Sequence, residues 1–324
     1  MSAVAGRGVA VHGSPDEPAA SEPPSGFPRG LVSAGCERDA SGFLVAPASA
    51  MGEPGQLWLN ESPSASILEF SAALRAGTYS RPFVIDHEGV RRLHFGMAHI
   101  QSEMTLADPD SLRAVYTQAM MSFLLFRSRP LHILVVGLGG GSLTKFCHRH
   151  LPRARITALE IDPDVVALSR LFHVPEPDGR LSVLLADAGD HVPRMTHCVD
   201  VILLDAYDRQ GLAQPLLTQA FHDGLRDRLN HGGILVMNLV GAERLCESQV
   251  CQLADAFGAP PLVLEVPGED NRVVFAFRVD EFRPDWAAVE NRALVLAQRH
   301  PIPFPRFAME LRSRYETCSP AARR

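Results

Sequence analysis

The 324-residue sequence lacks several features, and each absence removes a class of function. No apolar run approaches the ~18–20 residues needed to span a bilayer, so no membrane partner is expected. A basic excess is missing too: 31 Lys and Arg face 37 Asp and Glu, for a net charge of −6. That balance argues against a nucleic-acid partner and is compatible with a small cationic substrate. The six cysteines, Cys36, Cys147, Cys198, Cys246, Cys251 and Cys318, form no CxxC pair and are irregularly spaced. They read as free thiols in a reducing compartment. Cys147, His148 and His150 lie close together on a predicted helix, but one short stretch does not supply a convergent metal-ligand set, and no metal is expected. Arg7 is not followed by an apolar stretch, so a secretory signal is not expected and the cytoplasm is the default location.

What is present is an ordinary globular composition, 46% hydrophobic and 21% charged. Residues 1 to about 55 are rich in Gly, Pro, Ala and Ser and read as a disordered tail. From about 60 to 105 the pattern turns β-rich. Ser66 to Phe70 reads as a strand. Pro82 to Asp86 and Val90 to Phe95 flank His87-Glu88-Gly89, which reads as a hairpin. A small antiparallel β-domain is expected there. A helix is expected over 110–126, with Leu112, Val115, Tyr116, Ala119, Met120 and Phe123 on one face.

From Leu131 onward strands and helices alternate. Ile133 to Val136 is a continuous apolar run, as a strand buried on both faces requires. Helix 142–150, strand 156–159, a helix opened by Asp162-Pro163, and strands 181–185 and 199–204 follow. A helix near 216–229 precedes Gly232-Gly233 and strand 234–237. Then come a helix at 243–257 and strands at 262–266 and 273–278. This is an α/β doubly wound sheet, expected over 106–285. Beyond it, 286–324 reads as one helix through Trp286, Val289, Leu294 and Leu296 and a basic tail with Arg306, Arg312 and Arg314.

Ligands of such sheets bind beyond the C-terminal strand ends, so each exit carries a candidate. The first, Gly137-Leu138-Gly139-Gly140-Gly141-Ser142, suits close approach of a nucleotide. The second places Glu160 about twenty residues past the glycines, where an acid can accept from ribose hydroxyls. The third, Ala186-Asp187-Ala188, can accept from an adenine amino group. The fourth, Asp205-Ala206-Tyr207-Asp208, brings two acids to the reaction centre. An amine nucleophile must lose a proton before its lone pair can attack, and a carboxylate can take it.

Together these four exits resemble the spermidine synthase family (polyamine aminopropyltransferases). Upstream, Phe95-Gly96-Met97-Ala98-His99-Ile100-Gln101-Ser102 is similar to the family region carrying a donor-binding Gln, and Tyr116 falls where a substrate-contacting Tyr is expected. The resemblance implies a methyltransferase-like sheet behind an N-terminal β-domain. It also implies decarboxylated S-adenosylmethionine as co-substrate and an amine such as putrescine as acceptor. By position, Gln101, Gly137, Gly139, Gly140, Glu160, Asp187 and Ala188 would bind the donor. Asp205 would accept the proton, and Tyr116 and Asp208 would hold the acceptor. A homodimer is left open.

The sequence departs from the family at four places. Gly140 stands where an Asp normally binds the donor's ammonium. Thr117 follows Tyr116. The lid segment reads Arg209-Gln210-Gly211-Leu212. No Tyr is found in Val266-Pro267-Gly268-Glu269-Asp270-Asn271. A divergent member is therefore expected, with aminopropyl transfer from decarboxylated S-adenosylmethionine to a polyamine-type amine as the leading reading. The alternatives are S-adenosylmethionine-dependent methylation of a small molecule, a non-catalytic nucleotide-binding homologue, and a dehydrogenase, which Asp187 and Asp208 disfavour.

Overall fold

The computed structural model describes residues 37–62, 66–96, 99–209 and 211–318. The chain first forms an antiparallel meander of β1 (Glu37–Arg38), β2 (Leu44–Pro47), β3 (Gln56–Leu59), β4 (Phe83–His87), β5 (Val90–Gly96) and β6 (His99–Thr105). The predicted hairpin is β4–β5. Its turn residues Glu88 and Gly89 both take positive φ, 49° and 73°, as a tight two-residue turn requires.

The sheet begins earlier than the composition suggested. Residues 37–55, expected as tail, supply β1 and β2, and Phe43-Leu44-Val45-Ala46 is buried. A four-residue apolar run inside a Gly- and Ser-rich stretch was the available signal. The rest of the expected tail, residues 1–36, lies outside the described residues. A second correction concerns Ser66–Phe70, which is not a strand but the start of helix α1 (Ile67–Arg75). Phe70 and Leu74, four apart, pack on the cluster of Leu57, Leu59 and Phe83. That spacing, with Ala72 and Ala73 between, favours the helix.

The helix expected over 110–126 is also shorter: α2 (Val115–Met120) passes into a 3-10 turn at Met121–Leu125. Met120 to Leu125 are buried on every side, not along one stripe.

The second sheet follows: β7 (His132–Val136), α3 (Ser142–His150), β8 (Arg155–Glu160), α4 (Pro163–Leu168), β9 (Leu181–Leu185), α5 (Ala188–Arg194) and β10 (Val199–Leu204). A small pair, β11 (Tyr207–Asp208) and β12 (Gly211–Leu212), precedes α6 (Gln219–Asp227), β13 (Leu229–Leu239), α7 (Glu243–Phe257), β14 (Leu262–Glu265) and β15 (Arg272–Arg278). The strand order is β14-β15-β13-β10-β7-β8-β9, parallel from β13 to β9. Alternate residues feed the two faces. Ile133, Val135, Val201 and Leu203 enter one core, and Leu134, Val136, Ile202 and Leu204 enter the other. Each fully buried aliphatic side chain contributes about 1.5–3 kcal/mol, which holds helices against both faces.

Strand β13 contains Gly232-Gly233 instead of following them. Gly232 at φ 75° bends the strand, and its register against β10 slips between Val199 and Val201. Beyond β15 there are two helices, not one helix and a tail: α8 (Trp286–Ala297) and α9 (Phe304–Cys318). Phe304, Phe307, Ala308 and Leu311 form a buried i, i+3, i+4, i+7 stripe on α9. Arg312 on its outer side pairs with Glu290 and Glu316.

Candidate active site

Chain order reverses between β7 and β10, and at this switch point the strand tips are stitched together. Asp205 N donates to Val136 O at 2.9 Å, Gly137 N to Leu159 O at 3.0 Å and Ala186 N to Glu160 O at 2.8 Å. The four exits therefore stand in one row. Over them lies a cavity of about 840 Å³, within the size range of small-molecule sites. Gln101, Tyr116, Gly137, Gly139, Gly140, Glu160, Asp187, Ala188, Asp205 and Asp208 all line it. Among its described lining residues, the carboxylates Glu160, Asp187, Asp205 and Asp208 face a single cation, Arg209. Such a lining attracts positive charge.

The glycines of the first loop have specific work in packing. A Cβ on Gly137, at φ 92°, would lie 2.1 Å from Asp205 O, so glycine lets the first exit press against the fourth. A Cβ on Gly140 would lie 2.5 Å from Ser102 Oγ and 2.9 Å from Phe172 Cδ1. The position where the resemblance expects an Asp is thus closed by β6 and by the segment after α4. Lys145 secures that segment. Its buried Nζ donates to Phe172 O at 2.7 Å and Pro109 O at 2.6 Å, and burial lowers its pKa to about 8.

Glu160 is buried and locally held. Oε2 accepts from Leu138 N at 2.9 Å, and Oε1 accepts from Ile161 N at 2.9 Å and Asp162 N at 3.0 Å. Lone pairs remain on Oε2 for a further donor. Asp162 caps α4 as predicted, accepting from Asp164 N. Asp187 caps α5 through Oδ1, which accepts from Gly189 N at 2.7 Å, leaving Oδ2 for another partner.

Asp205 is held by side chains. Asn238 Nδ2 donates to its Oδ1 at 2.9 Å, and the Tyr116 hydroxyl donates to its Oδ2 at 3.2 Å. Burial raises the Asp205 pKa above the usual carboxylate range, opposed in part by these two donors. Burial, then the Asp205 charge, raises Tyr116 well above a free phenol, so it remains a donor. The Tyr207 hydroxyl donates to Asn238 O and accepts from Val240 N, both at 2.8 Å, which fixes the β13 exit. Asp208 is exposed at the rim, where β11 pairs with β12. Asp200, at the other end of β10, accepts from Arg127 and Leu131 N, each at 2.6 Å, and is structural.

Asn238 was not anticipated from the sequence. Its signal is a buried polar residue at the end of an apolar strand, Met237-Asn238-Leu239. Cys147, His148 and His150 do not converge. Cys147 is buried and its thiol is pushed up to about 12, His148 pairs with Asp178 at 2.9 Å, and His150 packs on Phe146 and His300. Among the described residues no group of His, Cys, Asp and Glu could hold a metal ion. Among them, too, no helix is long and apolar enough to cross a membrane. Cys147, Cys198, Cys246 and Cys251 are free thiols, while Cys36, Met97, Ala98 and Gln210 lie outside the described residues.

The spermine/spermidine synthase domain matches residues 113–256. A polyamine aminopropyltransferase of Chromobacterium violaceum is 34% identical over 246 residues, covering 75% of this chain and 94% of the relative. A probable spermidine synthase from Corynebacterium glutamicum superposes with a TM-score of 0.56 at 18% identity, over 70% of this chain and 90% of that one. Human methyltransferase-like protein 13, solved with SAH, superposes with a TM-score of 0.53 at 27% identity, over 57% of this chain and 91% of that one.

Proposed function

Because the chain belongs to the spermine/spermidine synthase family, we propose that it transfers an aminopropyl group from decarboxylated S-adenosylmethionine to a small amine. The observation that carries this reading is Asp205. It is a carboxylate of raised pKa, held by Tyr116 and Asn238, in the same acidic cavity as Glu160 and Asp187. Glu160 would accept from the ribose hydroxyls through the free lone pairs of Oε2. Asp187 Oδ2 would accept from the adenine amino group, with Ala188 beside it. Gln101 and the backbone of Gly137, Gly139 and Gly140 would enclose the rest of the donor. Tyr116 and Asp208 would orient the acceptor.

The chemistry balances without another reagent. The amine lone pair attacks the aminopropyl carbon bonded to sulfur. A C–N bond forms, the C–S bond breaks, and its electron pair neutralises the sulfonium. The reacting nitrogen, bound as an ammonium, first gives its proton to Asp205, whose raised basicity suits it to accept, and this frees the lone pair for attack; the product nitrogen leaves as an ammonium. Four carboxylates against one guanidinium favour both a cationic donor and a cationic amine.

One observation favours a second reading, methyl transfer from intact S-adenosylmethionine. The closed position at Gly140 gives the donor's ammonium no carboxylate from that loop. Calorimetry with the decarboxylated and intact donors separates the two. Tighter binding of the decarboxylated form, followed by a panel amine gaining an aminopropyl unit by mass, is the expected result. Preference for the intact donor and a methylated amine would replace it. Failure of both nucleotides to bind at high micromolar concentration would leave only a non-catalytic role.

A further inference from the structure

The turn joining β14 to β15, residues 266–271, reaches both partners of Asp205, and its Asn271 also lines the cavity. Asn271 Nδ2 donates to Asn238 Oδ1 at 2.9 Å. A carboxamide has one accepting end and one donating end. Asn271 engages the accepting end of Asn238, so the donating end is directed at Asp205 Oδ1. On the other side, Glu269 Oε1 accepts from Val115 N at 2.8 Å and Oε2 accepts from Tyr116 N at 2.9 Å. Helix α2 has no capping side chain of its own, since its N-cap is Ala114. Glu269 satisfies two of its unpaired N–H groups and sets negative charge at their end. The backbone that carries Tyr116, and through it the hydroxyl on Asp205 Oδ2, is thereby fixed. The turn itself is closed by Val266 N donating to Asn271 O at 3.0 Å, with Gly268 at φ 79°.

We infer that this turn is the positioning element of the proton acceptor: Asn271 and Glu269, acting through Asn238 and Tyr116, hold its two oxygens in one orientation with lone pairs left for the amine. The inference rests on Asp205 as the proton acceptor. The titratable groups around Asp205 are Tyr116 from α2, Tyr207 and Asp208 from β11, and Glu269 behind Tyr116. Burial, then the Asp205 charge, raises both phenols, so they do not titrate together with the carboxyl.

Asn271→Asp tests it. The new carboxylate has no proton to give, so the Asn238 amide turns its donor toward it and presents Oδ1 to Asp205. Loss of a donor, gain of a facing oxygen and the added charge all disfavour the ionised carboxylate, so Asn271→Ser, which adds no charge, is measured beside it and must shift the titration in the same direction. The expected result is a kcat at least tenfold lower, with KM for donor and amine within threefold. The Asp205 carboxyl, followed by carbon NMR of aspartate-labelled protein and assigned by its loss in Asp205→Asn, should titrate about one pH unit higher. Should the first variant not fold, Asn271→Ser carries the test alone, with a smaller shift of the same sign. A folded variant with kcat within twofold and an unmoved Asp205 titration overturns the inference, even if its Tm falls. Absence of aminopropyl transfer by the wild type, with the titration still shifting, would instead sink the assigned chemistry and leave the positioning intact.

Discussion

The two halves of the cavity are built in different ways. Around Glu160 and Asp187 the partners are backbone N–H groups, mostly one or two residues away, with Leu138 in the neighbouring strand exit. Around Asp205 the partners are side chains 33 and 89 residues away, and Tyr116 is itself held from 153 residues away. A locally built acid keeps its geometry wherever the βα unit folds. An acid held by distant side chains depends on the whole arrangement, and each supporting residue can be changed without loss of the strand beneath. Nucleotide binding and chemistry should therefore separate under mutation.

The largest expected effect is in the second half. Asp205→Asn should lower kcat on the order of 10²–10⁴-fold, with the donor Kd within threefold by calorimetry. The same variant should be more heat-stable at neutral pH. Burial raises the Asp205 pKa above its ordinary 3.8, so ionising this carboxyl costs more in the folded state than in the unfolded chain. The associated stability is full below the unfolded pKa and is lost as pH rises through the folded value. Neutral Asn removes that loss and should raise Tm at neutral pH, with no gain in acid.

In the first half, Glu160→Gln turns an amide donor toward N–H groups that need acceptors. Donor Kd should rise roughly ten- to a hundredfold, with kcat at saturating donor within threefold. Should this variant lose kcat while binding donor normally, the separation fails. Tyr116→Phe removes one donor from Asp205 and should lower kcat by about tenfold, leaving donor Kd unchanged. The smallest effect is expected for Asp187→Ala. Loss of the α5 cap should cost about 1 kcal/mol of stability, read by urea melts, with a severalfold weaker donor.

The same division explains what was legible in the sequence. Strand exits with their Gly, Glu and Asp residues are short-range patterns, and strands 181–185 and 199–204 and helices 142–150 and 243–257 fall where the periodicity puts them. The acids read from those exits meet at one cavity. Asn238, Glu269 and Asn271 were not legible as partners of Asp205, because their meaning lies in pairings across the fold. Ser66–Phe70 misled because five residues of an apolar run fit either period, and only Leu74 decides. Residues 37–55 were hidden by composition, which averages away a four-residue strand.

Ser102 lies against Gly140, and Gln101 beside it lines the same cavity, so the last strand of the outer sheet is one wall of the chamber. A version of this protein trimmed back to residue 106 would retain every acid of the four strand exits and lose that wall. Its donor, bound by the ribose side alone, would sit open to bulk solvent, where water competes with the amine for the activated carbon. Under the proposed transfer chemistry, truncation at residue 106 should raise hydrolysis of the donor relative to transfer to the amine.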